Sequence, residues 1–403
     1  MTLGAELPDW AQWNPAVAEA PWTVGIEEEV MLLEPRSGKP AWRSEDVLVR
    51  LGPDLVGHVR AETHACALEL GTDPHANVPG AIAELGELRT RLERVVRASG
   101  LGVAVSGTHP LVRPEDSQVS TGARYRELHA SLRGLALREP TFALHVHVAV
   151  PDATLAIRAL DAIRVHLPVL LALSANSPFL RGRDSGLASA RTPVFQEFPR
   201  AGLPRAYGDY RSYVEAIDVL VRTRAIPEPT FVWWDARLQP RFGTLEVRVM
   251  DAQTRLRDTA ALAALVQCLV RLEAMEGFAE SELVAAHEAL EENRFLAARD
   301  GIDASFVDPR AERRLRVADR LTALLEACRP HAEALGCKRE LELAGALAAD
   351  SGPARQRAVA RKGLTALMRS LQADFAPARE GARRGPGLGD RLAAGRPEAG
   401  ALR

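Results

Sequence analysis

The chain of 403 residues is longer than one ordinary domain of roughly 100–200 residues, which allows two small domains or one large α/β or α+β unit. Apolar residues make up 47% and charged residues 26%, so the chain can bury a core. The 51 basic and 53 acidic residues nearly cancel, which excludes a whole-chain attraction to nucleic acid or to an anionic membrane.

Cysteine content and the apolar runs indicate the compartment. The four cysteines show neither CxxC spacing nor the density of a disulfide framework, which favours a reducing environment. The first twenty residues lack a basic start followed by an apolar stretch, and the longest apolar runs are shorter than the ~20 residues of a membrane span. We therefore expect a soluble, cytoplasmic protein with no membrane partner.

Strand-like and helix-like patterns alternate between residues 23 and 252, and helical patterns follow. Residues 174–204 predict a long loop, and we hypothesise that this loop is a lid. The chain from residue 376 is rich in Ala, Gly, Pro and Arg and predicts a disordered tail. In order, the predicted elements are a strand at 22–34, a helix from the 77–80 turn to Gly100, strands at 101–106 and 141–150, a helix at 152–173, β-rich runs at 231–239 and 244–250 joined by a hairpin turn, and helices at 259–279, 281–299, 309–325 and 354–374.

Carboxylates recur on the predicted strands. A period of two places Glu27 and Glu29 on one face and Glu28 on the other, where Glu28 needs a partner if that face is buried. A charged, solvated edge strand is the alternative interpretation. Glu62 and Glu69 differ by seven positions, so they converge only if a bulge or turn separates them, and either could be a surface charge.

Histidines and a further acid occupy two later strands. His145 and His147 alternate with apolar residues, which suits metal or phosphate binding or, alternatively, two structural histidines. Glu246 and Arg248 share one face of the hairpin, where a cross-strand ion-pair ladder is the competing interpretation.

If these polar faces coincide, the carboxylates need cations, because mutual repulsion would raise their pKa values. An oxygen-rich ligand set without thiolate favours Mg²⁺ or Mn²⁺, and Mg²⁺ commonly keeps positions for substrate phosphates. The sequence has no GxxxxGK[ST] loop and no GxGxxG after a strand. We therefore predict nucleotide chemistry at a site that is neither a P-loop nor a dinucleotide-binding fold.

Seven stretches stand out in order over about residues 22–304. They are 23–33 (TVGIEEEVMLL), 69–77 (ELGTDPHAN), 107–110 (GTHP), 144–148 (LHVHV), 174–186 (SANSPFLRGRDSG), 233–251 (WWDARLQPRFGTLEVRVMD) and 292–304 (ENRFLAARDGIDA). In order and spacing they resemble the carboxylate–amine ligase family, also called type-2 glutamate–cysteine ligases, which are relatives of glutamine synthetase. Most of these stretches are weak signals singly, and together they are specific.

The resemblance implies an α+β, glutamine-synthetase-like fold, in which a curved antiparallel sheet binds ATP and Mg²⁺ or Mn²⁺ on its concave face and is backed by helices. The implied organisation is an N-terminal extension at 1–21, a catalytic ATP- and metal-binding domain at 22–304, a helical C-terminal region at 305–375 packed on it, and the disordered tail at 376–403. We expect small-molecule substrates and no nucleic acid partner, and a homo-oligomer is possible.

The resemblance also implies roles for individual residues. His145, His147 and Arg248 would contact the cofactor, and Arg248 and Arg191 would be the catalytic cations. The expected metal ligands are Glu27, Glu29, Glu62, Glu69, His145 and Glu246.

The implied reaction joins glutamate to an amine, nominally cysteine, through an acyl phosphate, with ADP and phosphate released. A ligase of the same mechanism that acts on another amine or on a peptide fits the same residues. A metal-dependent hydrolase and a non-catalytic binding protein are the alternatives from other classes.

Overall fold

The computed structural model describes residues 6–376. Its centre is a seven-stranded sheet. The strands are β1 (Val24–Leu33), β2 (Val59–Ala61), β3 (Ala67–Gly71), β4 (Gly102–Ala104), β5 (Ala143–Ala149), β10 (Ala236–Gln239) and β11 (Thr244–Asp251). Neighbouring strands are antiparallel and follow the order β10-β11-β5-β1-β3-β2, and β4 pairs with the C-terminal end of β1. This α+β architecture confirms the predicted fold class.

Short two-stranded pairs lie outside the main sheet. They are β6 (Phe179–Leu180) with β7 (Arg183–Asp184), β8 (Ala201–Gly202) with β9 (Trp233–Trp234), and β12 (Ser305–Asp308) with β13 (Arg313–Arg316).

Helices cover one face of the sheet, where apolar side chains of β1 and β5 such as Ile26, Val30 and Val146 are fully or almost fully buried. The long helix α8 contacts both α4 and α12. In chain order the helices are α1 (Ser44–Leu48), α2 (Val78–Ala98), α3 (Ala123–Leu132), α4 (Ala153–Ile163), α5 (Leu167–Ser174), α6 (Arg191–Gln196), α7 (Tyr210–Arg222), α8 (Leu256–Met275), α9 (Ser281–Ala285), α10 (His287–Asp300), α11 (Val317–Ala334), α12 (Lys338–Ala349), α13 (Gly352–Ala360) and α14 (Leu364–Ala373).

The alternation predicted for the first strand is confirmed. Glu28 points to the helical side, where it is fully buried and paired with Arg89 of α2. Helix α2 also follows the prediction: Asn77 caps its first turn and Gly100, with φ +75°, follows its end.

Several predicted helices are wrong in extent. The helix predicted at 152–173 is two helices, α4 and α5, because the chain turns at residues 164–166 and Pro168 fits only the first turn of a new helix. The helices predicted at 281–299 and 354–374 are likewise each divided in two. The first half of the helix predicted at 309–325 belongs to the β12–β13 hairpin.

The prediction of a plain loop at 174–204 is wrong, because this segment contains β6, β7, α6 and β8. The strand predicted at 231–239 is interrupted at Asp235, where β9 leaves the main sheet to pair with β8. The lid role of the segment stays a prediction.

Within the described residues, no helix combines the length and apolar character that crossing a membrane requires. The tail predicted from residue 376 lies, apart from Ala376, outside these residues.

Candidate active site

The pairing registers of β1 bring predicted site residues together on one face of the sheet. Glu27 pairs with His145 on β5, and Glu29 pairs with Glu69 on β3. Directly paired residues have Cβ atoms about 4.5–5.5 Å apart, and residues two apart on a strand share a face. The four side chains therefore form a compact polar group on the face opposite Glu28.

The neighbouring strands extend this group. His147 of β5 pairs with Glu246 of β11, and Glu246 pairs in turn with Arg237 of β10. Glu62 reaches the group from the turn between β2 and β3, so a turn separates it from Glu69, as their convergence requires.

A cavity of about 490 Å³ opens over this face. Glu246 and His147 do not line it, but a carboxylate oxygen of Glu246 lies 3.9 Å from the lining residue His145 and a ring nitrogen of His147 lies 3.4 Å from the lining residue Glu27. The predicted site residues that line it are Glu27, Glu29, Glu62, Glu69, His145, Arg191 and Arg248.

Distances within the group are short. The Oε2 atom of Glu27 lies 3.2 Å from Nδ1 of His145 and 3.4 Å from Nε2 of His147. Oε1 of Glu29 lies 4.0 Å from Nε2 of His145, and its Oε2 accepts a 2.7 Å hydrogen bond from the backbone N–H of Ala143. One imidazole thus stands between two carboxylates.

Glu246 is held by cations. Its Oε2 accepts hydrogen bonds from Nε of Arg237 at 2.6 Å and from Nε2 of Gln239 at 2.8 Å, and its Oε1 accepts from Arg248. Burial alone would raise the pKa of Glu246, but Arg237 and Arg248 lower it well below its usual range. The ion-pair ladder considered from the sequence is therefore present, and it lies at the edge of the acidic group.

Arg248 lies in an irregular part of β11, where the register against β5 shifts between Val247 and Met250. Such bulges change the direction of side chains beside active sites. Here Nη1 of Arg248 lies 3.5 Å from Nδ1 of His145. The bulge brings a guanidinium to the wall of the cavity.

Arg191, at the start of α6, donates hydrogen bonds from Nη1 and Nη2 to the carbonyls of Val249 and Arg248, each at 3.1 Å. The loop before it is fixed by the buried Asp251, whose carboxylate accepts from Ser177 at 2.6 Å and from Ser189 at 2.9 Å. Arg191 therefore lines the cavity and also ties the bulge of β11 to α6.

The acids have strongly shifted pKa values. Burial, and then the nearby Glu62 carboxylate, raise the pKa of Glu29 to about 8, while burial and the surrounding glutamates raise the pKa of Glu69 well above its usual range. Burial would also raise the pKa of Glu27, but His147 and His145 lower it below the usual range. Burial and then Arg248 lower the pKa of His145 to about 4. Glu29 and Glu69 therefore favour their protonated forms, and a nearby divalent ion would favour their ionised forms.

The residues fit divalent metal ions. Glu27, His145 and Glu246 offer one ligand atom each within 4.8 Å of one another, and so do Glu29, Glu69 and His145. Mostly carboxylate oxygens with one imidazole suit Mg²⁺ or Mn²⁺.

The cavity also has residues that the sequence interpretation missed. Arg60 lies opposite Glu69 in the β2–β3 register, and Arg124 and Tyr125 come from α3, a helix that was not predicted. Arg60 could have been noted, since it lies two positions before Glu62. The aromatic wall that faces them comprises Phe195, Phe198, Phe231 and Trp233.

The fold is shared with two solved structures of glutathione biosynthesis. A glutamate–cysteine ligase from Francisella tularensis, crystallised in complex with AMP, superposes with a TM-score of 0.68 over 89% of this chain and 90% of that chain, at 14% identity. A bifunctional glutathione synthetase from Pasteurella multocida gives a TM-score of 0.64 at 15% identity, over 89% of this chain and 53% of that chain.

The sequence defines the family. The pattern of glutamate–cysteine ligase family 2 matches residues 23–383. A protein of Rubrobacter xylanophilus, provisionally named glutamate–cysteine ligase 2-1, is 39% identical over 85% of this chain and 91% of its own length. A provisionally named glutamate–cysteine ligase 2 of Sorangium cellulosum is 37% identical over 80% of this chain and 86% of its own length. The chain belongs to glutamate–cysteine ligase family 2 and is an ATP-dependent carbon–nitrogen ligase.

Proposed function

We propose that this ligase joins the side-chain carboxylate of glutamate to the amine of a second small molecule, nominally cysteine, by way of an acyl phosphate. The observation that carries the proposal is the convergence of Glu27, Glu29, Glu69 and His145 on one wall of a single cavity that also has the Arg248 guanidinium. A carboxylate is a poor acyl donor, and its phosphorylation by ATP supplies a leaving group that an amine can displace.

The proposed metal ligands are the cavity-lining acids and His145, with Glu246 as a further ligand. Bound Mg²⁺ or Mn²⁺ would supply positive charge that neutralises the phosphates of ATP during phosphoryl transfer. The raised pKa values of Glu29 and Glu69 support this assignment, because they reflect buried carboxylates that repel one another and that a cation would stabilise in their ionised form. The proposed cofactor is therefore ATP with a divalent ion.

Arg248 is the proposed catalytic cation. Its guanidinium lines the cavity, where Glu246 holds it beside His145, so it would face a phosphoryl group transferred there. A fixed positive charge at the developing negative charge lowers the barrier without a reorganisation of solvent.

Arg191 and His147 support this group. Both terminal nitrogens of Arg191 are bonded to carbonyls of β11, so we assign it the positioning of the Arg248 bulge together with a general positive charge. Nδ1 of His147 lies 3.1 Å from the hydroxyl oxygen of Thr244 and its Nε2 lies 3.4 Å from Oε2 of Glu27, so we assign it the electrostatic support of that carboxylate.

The test is a panel of amines with glutamate and Mg-ATP, with ADP measured by coupled assay and products measured by mass spectrometry. We expect ADP release that requires both glutamate and an amine, with one ADP for each amide formed. Product without ADP would indicate a hydrolase, and a thermal shift with Mg-ATP without turnover would indicate a binding protein. Cysteine and other amines are compared directly, because a ligase that acts on another amine would use the same residues.

A further inference from the structure

A second group of titratable side chains lies where β3 ends and α2 begins. It comprises His58, Asp73, His75 and Glu84. None of the four lines the ligase cavity among the described residues. Asp73 and His75 belong to the ELGTDPHAN stretch, of which the proposed ligase site uses only Glu69.

The group converges from separate parts of the chain. His58 immediately precedes β2, Asp73 follows β3, and Glu84 lies in the second turn of α2. Each of the three offers one ligand atom, and these atoms all lie within 4.8 Å of one another. A single ion could therefore bind all three without a change in the backbone.

Glu84 is the centre of the group. Its Oε2 accepts a hydrogen bond from the backbone N–H of Asp73 at 2.9 Å and lies 2.7 Å from Nε2 of His75. Its Oε1 lies 3.8 Å from Nδ1 of His58. A carboxylate shared between two imidazoles is an arrangement in which a metal ion can replace a proton.

Two close contacts fix the imidazoles in advance. A Cβ atom at Gly80 would lie 2.9 Å from Nδ1 of His75, so the absence of a side chain there lets that ring pack against the first turn of α2. Nδ1 of His58 lies 3.0 Å from the carbonyl oxygen of Gly71, and an N–H donated there leaves the lone pair of Nε2 to bind an ion. The side chains of His58, His75 and Glu84 are between one-fifth and one-third exposed, so an ion can reach them from solvent.

We propose that His58, Asp73 and Glu84 bind one divalent transition-metal ion, best represented by Zn²⁺, and that His75 orients Glu84 as a positioning residue. Two carboxylates neutralise the charge of the ion, and the imidazole favours Zn²⁺ over Mg²⁺. The ion joins β2, the β3–α2 connection and α2, and so fixes the strand that carries Glu69 to the helix behind it. The site is structural, and its occupation is independent of the ligase reaction.

The test is equilibrium dialysis of the full chain against Zn²⁺ in excess Mg²⁺, which occupies oxygen-rich sites, followed by metal analysis. We expect one bound Zn²⁺ in the wild-type protein and in a Glu27→Gln variant of the ligase site. Glu84→Gln and His58→Asn should lose this ion. His75→Asn should weaken binding by roughly 10–100-fold, as is typical of residues that orient a metal ligand.

The matched control is Glu87→Gln, which removes an exposed carboxylate of α2 that pairs only with Arg91 among the described residues. It should leave Zn²⁺ binding unchanged. A second readout is the visible spectrum of bound Co²⁺, which should be lost in Glu84→Gln while circular dichroism shows an intact fold. Absence of retained Zn²⁺, or equal retention in wild-type, Glu84→Gln and His58→Asn proteins, would overturn the proposal and leave an ordinary histidine–carboxylate pair.

Discussion

Glu28 and Arg89 form a fully buried, doubly hydrogen-bonded ion pair directly behind the proposed metal ligands of β1. Nε of Arg89 donates to Oε2 of Glu28 at 2.7 Å, and Nη2 donates to Oε1 at 2.5 Å. The same guanidinium donates to the carbonyls of Thr254 and Phe375. One cation thus joins the active-site strand to the helices behind it and to the last described turn of the chain.

Replacing Arg89 by Met should destabilise the protein by about 3–5 kcal/mol, because it leaves the Glu28 carboxylate buried without a partner. Chemical denaturation measures the change. The double variant Glu28→Gln/Arg89→Met should recover part of the loss, since it also removes the buried charge. Arg91→Met, on a partly exposed face of the same helix, is the control and should have little effect. Equal effects of Arg89→Met and Arg91→Met would contradict this role.

Arg248→Met should lower kcat by roughly 10²–10³-fold, because it removes a preorganised positive charge from the transition state. The KM for ATP should change much less if the guanidinium acts mainly during transfer. Steady-state ADP release measures both constants. Arg241→Met removes an exposed arginine from the neighbouring hairpin turn and should leave kcat unchanged. A similar kcat for Arg248→Met and wild type would rule out the catalytic assignment.

The metal-free protein should lose stability as pH rises from 6.5 to 8. Glu29 has a pKa raised from 4.5 to about 8, so the unfolded chain releases a proton that the folded chain still holds. Its contribution is fully present below pH 4.5 and is lost as pH rises through 8, at up to about 1.4 kcal/mol per pH unit. His145, with a lowered pKa, has the opposite effect below pH 6.5, whereas the raised pKa values of Glu69 and His147 act in the same direction as that of Glu29.

Thermal unfolding in EDTA, with wild type compared with Glu29→Gln, measures this dependence. The unfolding temperature of Glu29→Gln should change less between pH 6.5 and 8 than that of the wild type. Added Mg²⁺ should reduce the pH dependence of the wild type in the same way, because it displaces the proton of Glu29. Parallel profiles for the two proteins would show that Glu29 titrates normally.

Local patterns in the sequence predicted the parts of the site that a single strand determines. The alternation of Glu27, Glu28 and Glu29 assigned the two faces of β1, and the same period assigned His145 to the polar face of β5. The meeting of Glu29 with Glu69 depends on strand register, which the sequence alone does not specify.

Other features depended on tertiary contacts. The burial of Glu246 beside Arg237 and Arg248 follows from the pairing of β10 with β11. Arg124 enters the cavity from a helix whose sequence pattern is weak. The break before Pro168 was predictable from the missing N–H of proline, but the apolar run on both sides concealed it. The hairpin that replaces the start of the helix predicted at 309–325 had no comparably clear local signal.

The most direct test of the proposed metal and ATP site is anomalous diffraction from crystals with Mn²⁺ and a non-hydrolysable ATP analogue. We expect Mn²⁺ peaks between the carboxylates of Glu27, Glu29 and Glu69 and the imidazole of His145, with the triphosphate of the analogue beside them. Peaks elsewhere on the protein, or a triphosphate bound away from these acids, would contradict it.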